Sequence, residues 1–279
     1  MADSRPPSTP DGPTTPDASS TGDGAVTHIH LLLDRSGSME AIAHEVIDGF
    51  AGFLAAQRAE GDDAVMTLVQ FDTVDPFEIV ADAVPIAEMV PLDRRTFVPR
   101  GGTPLYDALG RLLGKATSRQ KARAAAGLPA EHVVIAIYTD GLENASCEYT
   151  RQQVFDAITR HESEDGWTIV YLGAHPDAMA ESESLGIDAG HALRYSANAE
   201  GTAVAFASLS TSLIAERREA RAGRRRDAFF DTGADAESDT GTRSGTGTGS
   251  DAGSDAESDA GSDTDDLRNG RDGDGRDSG

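Results

Sequence analysis

A single cysteine, Cys147, in 279 residues leaves no partner for an intrachain disulfide. That excludes the stapled frameworks of small secreted domains and points to a reducing compartment. Long apolar runs are missing too. The longest, around residues 29–33 and 133–137, fall far short of the roughly 20 residues a membrane-spanning helix needs. The opening stretch MADSRPPSTPDGPTTPDASS has no apolar h-region, so we expect no membrane segment and a cytoplasmic location. Positive charge is scarce as well: 24 Lys and Arg stand against 48 Asp and Glu, a formal net charge of -24. Duplex DNA or an anionic membrane would repel such a chain, which removes nucleic acid and membranes from the expected partners.

What is present divides into three zones. Residues 1–24 are Pro, Ser, Thr, Gly and Asp with almost no large apolar side chain, a composition that cannot offset chain entropy by burial, so a disordered arm is expected. Residues 227–279 include SDTGTRSGTGTGSDAGSDAESDAGSDTDD, an acidic low-complexity stretch with short GSDA and ESDA units; a disordered, solvating tail is expected there. Its spacing does not reproduce the calcium-binding GGxGxD nonapeptide. Residues 25–226 hold the apolar content of one domain.

Within that zone, strand-like apolar runs alternate with segments of helical period, the pattern of an α/β fold. Strands are expected at 28–33, 64–71, 77–84, 132–139 and 167–173, with a last edge strand near 193–195. The link DTVDP between the second and third strands is too short for a crossover, so that pair should be antiparallel. Met39, Ile42, Val46, Phe50, Phe53 and Leu54 give one amphipathic helix. Thr103-Pro104 resembles a helix cap followed by Leu105, Leu109, Leu112 and Leu113. Further helices carry Val154 and Ile158, cover 176–185 up to Gly186, and start at the cap Asn198. The expected architecture is doubly wound: a mostly parallel central sheet with one antiparallel edge strand and helices on both faces.

Three polar clusters fall where strands end and helices begin, the crevice in which open α/β sheets bind ligands. They are Asp34-Arg35-Ser36-Gly37-Ser38-Met39, Gly101-Gly102-Thr103-Pro104 and Thr139-Asp140-Gly141. All offer hard oxygens, which suit Mg2+, Mn2+ or Ca2+ rather than zinc or copper. In the first cluster, alternate residues Asp34, Ser36 and Ser38 can turn inward on one loop while Gly37 permits the bend. The following helix directs its N-terminal positive end there, which favours an anionic ligand beside a cation.

DRSGSM, followed in order by GGTPLYDAL and YTDG, resembles the von Willebrand factor A domain with its metal-ion-dependent adhesion site, the DxSxS...T...D pattern. The resemblance covers about residues 25–222. It implies a divalent metal, Mg2+ or else Mn2+ or Ca2+, held by Asp34, Ser36, Ser38, Thr103 and Asp140, with an open position that accepts a carboxylate from a partner protein. It implies binding rather than turnover, and the absence of an anchor makes the chain look like intracellular prokaryotic members of the family.

Plainer readings stand beside these. Ser36, Ser38 and Thr103 are residues that commonly cap loops and helices, and Asp72, Asp107 and Glu143 near the same sheet edge suit turn duty or a supporting role. His28 and His30 alternate on the first strand without a third ligand at a recognisable spacing, so they are expected to be buried or edge histidines rather than zinc ligands. Arg224-Arg225-Arg226 suits a helix C-terminus, and Cys147 lacks a histidine partner in sequence. The competing functional class is a metal-assisted phosphoesterase using Asp34 as nucleophile. Against it, Ser36 stands where a second carboxylate would be needed, and neither GxxxxGK[ST] nor GxSxG occurs. The aspartates of the tail are themselves tethered carboxylates, which could compete in cis for a carboxylate-binding site.

Overall fold

The eight residues Thr27–Asp34 form β1, and every one of them is buried. A strand like this belongs inside a sheet covered on both faces. It lies between β2 (Ala64–Phe71) and β4 (His132–Thr139), parallel to each. The computed structural model describes residues 26–230, all within the first of two units, Met1–Glu237. The expected arm at 1–24, the second unit Ser238–Gly279 and most of the expected tail lie outside the described residues.

β3 (Glu78–Pro85) runs antiparallel to β2, as the short connection demands. β5 (Thr168–Gly173) and β6 (Ala192–Arg194) continue the parallel part, and the six strands lie in the order β3-β2-β1-β4-β5-β6. Alternation along β1 sends Ile29, Leu31 and Leu33 to one face and Leu32 to the other. The first face is covered by α1 (Ala43–Glu60) and α5 (Ala199–Arg221) through Phe50, Phe53, Leu54, Phe206 and Leu209. The second is covered by α2 (Leu105–Ala125) and α3 (Arg151–Arg160) through Leu105, Leu109, Leu112, Val154 and Ile158. After β5 comes the short α4 (Ala178–Ser184), stopped at Gly186, whose φ of 84° suits glycine. This is the doubly wound sheet expected from the pattern. Among the described residues no helix is long and apolar enough to cross a membrane.

Local differences have identifiable causes. The helix expected from Met39 begins instead as a 3-10 turn, Gly37–Ile42, and becomes α-helical at Ala43. The Ser36 amide donates to the Asp34 carboxylate at 2.7 Å, and Met39 N–H closes on the Ser36 carbonyl at 3.1 Å, a tighter turn than an α-helix. Thr103 does not cap α2: the cap position falls on Pro104, with no side-chain cap. Asn198 does cap α5, accepting from the Gly201 amide at 2.8 Å. His28 and His30 are buried and stack at 3.8 Å. Phe229 and Phe230, beyond the expected domain end at 226, are buried in the core of the first face, and both amides donate to the Gly190 carbonyl at 3.0 and 2.9 Å.

At the end of the sheet away from the polar loops, α5 is fastened to α1 by charge. Arg217 is completely buried and donates to the carbonyls of Gln57 and Gly61, both at 2.8 Å, and to the Asp63 carboxylate. Replacing Arg217 with Ala strands those acceptors, and we expect a loss of about 3 kcal/mol in urea unfolding, the scale of a broken buried ion pair. Close by, hydrogen bonds from Arg218, with Arg221 beside it, bring the Glu60 carboxyl down to about 2. A depressed carboxyl stabilises the fold above its unfolded value and loses that effect as pH falls toward the folded one. Glu60→Gln should therefore lower the melting temperature at pH 7, with the gap to wild type shrinking between about pH 4.5 and 2.

Candidate metal centre

The clusters after β1 and β4 reach the same end of the sheet because these strands are parallel and in register, with Leu33 opposite Tyr138. The cluster around Thr103 follows the antiparallel β3 and a long loop, and it is tied to the first by the bonds Gly37 N–H to the Gly101 carbonyl at 3.0 Å and Arg100 N–H to the Arg35 carbonyl at 2.9 Å. Asp34 closes β1 fully buried. Its Oδ1 accepts the Ser36 amide at 2.7 Å, and its Oδ2 accepts the Thr139 hydroxyl at 2.6 Å. The Ser36 and Ser38 hydroxyls lie 3.1 Å apart, and Ser38 donates to Asp140 Oδ1 at 2.7 Å. A methyl group built on Gly141 would stand 3.6 Å from the Thr103 hydroxyl and 3.7 Å from that of Ser38. Asp34, Ser36, Ser38, Thr103 and Asp140, distant in sequence, thus gather around one point.

Capping does not account for these hydroxyls. Ser36 occupies the cap position of the 3-10 turn yet makes no side-chain cap, and neither does Thr103 for α2. The serines bond to one another and to Asp140 instead. Gly37, expected to supply a bend, keeps an ordinary backbone; its smallness matters because a Cβ would meet the Gly101 carbonyl at 3.3 Å. Gly101 is the residue with φ of 68°, and a Cβ there would clash with the Thr73 hydroxyl at 2.3 Å.

Residues outside the five hold the loops in place. Asn144 binds Thr103 through both backbone groups, accepting Thr103 N–H on its side chain at 2.9 Å and donating its own amide to the Thr103 carbonyl at 3.1 Å. Glu143 takes the Tyr106 amide at 3.0 Å, and Asp107 takes the amides of Cys147, Glu148 and Tyr149, each at 2.8 Å. The loop after β4 is thereby sewn to the start of α2. Thr139 stands in the third polar cluster but carries no signal that would have assigned it to Asp34, and Asn144, four residues past Asp140, carries none in its spacing.

Burial pushes the Asp34 carboxyl up to about 6, against the pull of the Thr139 and Ser36 hydrogen bonds. Burial also raises Asp140, opposed by the Ser38 hydroxyl. Two carboxylates facing one point, each costly to ionise, form a place where positive charge is favoured. Among the described residues no group of three or more His, Cys, Asp or Glu side chains could hold a metal. A cation here would need the serine and threonine oxygens in addition to both aspartates.

No family model matches the sequence, and no curated protein matches it. Solved structures do. The pilus adhesin SpaC from Lactobacillus rhamnosus GG aligns with a TM-score of 0.50 and 14% identity, over 69% of this chain and 31% of its own. Proximal thread matrix protein 1 from the mussel byssus aligns at 0.46 and 16%, over 70% and 48%. A von Willebrand factor type A protein from Catenulispora acidiphila aligns at 0.43 and 17%, over 70% and 43%. The chain spans less than half the length of each of these. At such identities the likeness concerns the fold alone. The chain shares with the pilus adhesin the fold described above, a mostly parallel six-stranded sheet with one antiparallel edge strand and helices around it.

Because its folded value is raised, Asp34 favours the fold while protonated and costs stability once pH climbs through about 6. In metal-free buffer, Asp34→Asn should melt above wild type at pH 8 and together with it near pH 4. Equal melting at both pH values would show that the carboxylate is not strained by its burial.

Proposed function

We propose that the chain is a metal-dependent protein-interaction module and not an enzyme. Asp34, Ser36, Ser38, Thr103 and Asp140 hold one divalent cation, Mg2+ or else Mn2+ or Ca2+, and the cation offers an open position to a carboxylate on a partner protein. One observation carries this reading: three hydroxyls and two carboxylates from three separate loops converge, and Ser36, the one hydroxyl at a helix cap position, does not cap. Their chemistry fits a hard cation, since every inward group is an oxygen. The metal, when bound, supplies a Lewis-acidic site for an anionic ligand. The protein's own groups do the rest: Thr139 and the Ser36 amide orient Asp34, and Asn144 keeps Thr103 facing inward.

A nucleophilic role for Asp34 is disfavoured by its surroundings. The carboxylate is 0% exposed and both oxygens already accept hydrogen bonds, whereas a nucleophile must reach a substrate atom. The reading places the domain, expected at residues 25–226 and carried to Phe230 by the two buried phenylalanines, in the cytoplasm, where one cysteine is at home. The acidic stretch 227–279 supplies carboxylates in cis that compete with the partner. Most of that stretch lies outside the described residues.

Calorimetric titration of Mg2+, Mn2+ and Ca2+ into wild type, Asp34→Ala and Thr103→Ala tests the reading. Wild type should bind one ion and melt higher as free metal rises, by RT ln(1 + [L]/Kd). Both variants should lose binding, and none of the three should turn over phosphoesters. Metal-dependent turnover abolished in both variants would establish the enzyme instead.

A further inference from the structure

The buried carboxylate of Asp72, just past the end of β2, is bound to two of the three loops that carry the proposed ligands. Its Oδ2 accepts Arg35 Nε at 2.7 Å and Arg100 Nε at 3.0 Å, and its Oδ1 accepts the amides of Val74 at 2.6 Å and Asp75 at 2.9 Å. Arg35 stands between Asp34 and Ser36, and Arg100 stands three residues before Thr103. The same loops also meet through their backbones: Arg100 N–H donates to the Arg35 carbonyl at 2.9 Å, and Gly37 N–H donates to the Gly101 carbonyl at 3.0 Å. Arg35 is buried and is further held by Gln70 at 3.1 Å and by Glu78. Arg100 is 41% exposed, so its pairing with Asp72 is not needed to solvate its charge.

We propose that Arg35, Asp72 and Arg100 form a positioning brace that locks the Asp34–Ser38 loop and the Arg100–Thr103 loop into one unit, setting the separation of Thr103 from Ser36 and Ser38. The inference rests on the metal reading for its purpose but makes its own claim about the metal-free protein. A role confined to neutralising buried Arg35 would require only Asp72 and Glu78. Arg100 would then be dispensable.

Asp72→Asn leaves Arg35 short of a buried counter-charge and can unfold the chain, so Arg100→Gln is the decisive variant. Arg218→Gln, which removes an ion pair at the opposite end of the sheet, is the control. In the full metal-free chain, amide exchange at Gly37 and at residue 100 should quicken at least about tenfold in Arg100→Gln, while the Asn144 amide and the melting temperature stay at their wild-type values. Arg100→Lys should recover part of the protection. Mg2+ affinity, measured by calorimetry, should fall about tenfold in Arg100→Gln, the usual scale for losing a group that orients a metal ligand, and should be unaltered in Arg218→Gln. Unchanged exchange at both amides in Arg100→Gln overturns the brace. Faster exchange in a chain whose wild type binds no metal overturns the metal reading alone and leaves the brace as a device that orders these loops.

Discussion

Burial of β1 along its whole length is the constraint from which the rest of the structure follows. A strand with eight buried residues needs a paired strand on each side, both parallel here, and a covering layer on each face. Meeting that need brings the ends of β1, β2 and β4 to a common edge. The loops after β1 and β4 meet through strand register: Asp34 and Thr139 come within 2.6 Å because Leu33 pairs with Tyr138 one step earlier. The Thr103 loop joins them through its own hydrogen bonds to the first loop and to Asn144. The cost of such a strand is that its last residue, an aspartate, is carried into the protein interior.

That cost is met by arranging donors around acids in a repeated way. Asp72 and Glu143 collect the backbone amides of their own turns and reach across to Arg35 and Arg100 or to the Tyr106 amide, while Asp107, in the first turn of α2, collects three amides of the loop after β4. Carboxylates so bound are effectively rivets between loops that have no secondary structure of their own, and they make the edge stiff enough for small displacements to matter. Asp34 and Asp140 differ from these three. They receive fewer donors and are raised by burial, so the charge they bring is left under-compensated.

Much of this was legible from the sequence, for physical reasons that vary along the chain. β2 and β4 were located to the residue because each is a short apolar run bounded by charged or turn-forming residues, and the antiparallel β3 followed from the length of its link. The three polar clusters were legible because strand ends in an α/β sheet are predictable. The resemblance of Thr103-Pro104 to a helix cap, one of two readings open for Thr103, did not hold, because a threonine before proline at a helix start is locally indistinguishable from one whose hydroxyl faces elsewhere; Asn144, 41 residues away in sequence, holds the Thr103 backbone. The 3-10 turn at Gly37–Ile42 was hidden because a carboxylate three residues earlier sets it, and periodicity does not register that. Phe229 and Phe230 escaped notice because two aromatics beside an acidic low-complexity stretch read as part of it, whereas their amides complete a carbonyl at Gly190. Arg35 and Asp72 were unremarkable singly, and only the fold joins them.

Charge places a further limit on the proposed partner. The chain carries a formal net charge of -24, so a uniformly acidic protein would be repelled at any distance not screened by salt, a range of about 8 Å at physiological ionic strength. A bound divalent cation reverses the sign only locally, at the end of β1 and β4. Under the proposed function the combination selects a partner that exposes one accessible carboxylate on a surface otherwise neutral or basic, because the long-range field then assists the encounter and the short-range cation fixes the contact. A second acidic group close to the first would gain little. Arg100, 41% exposed beside the Thr103 loop, is already paired with the buried Asp72 and with Glu78, acids of its own chain.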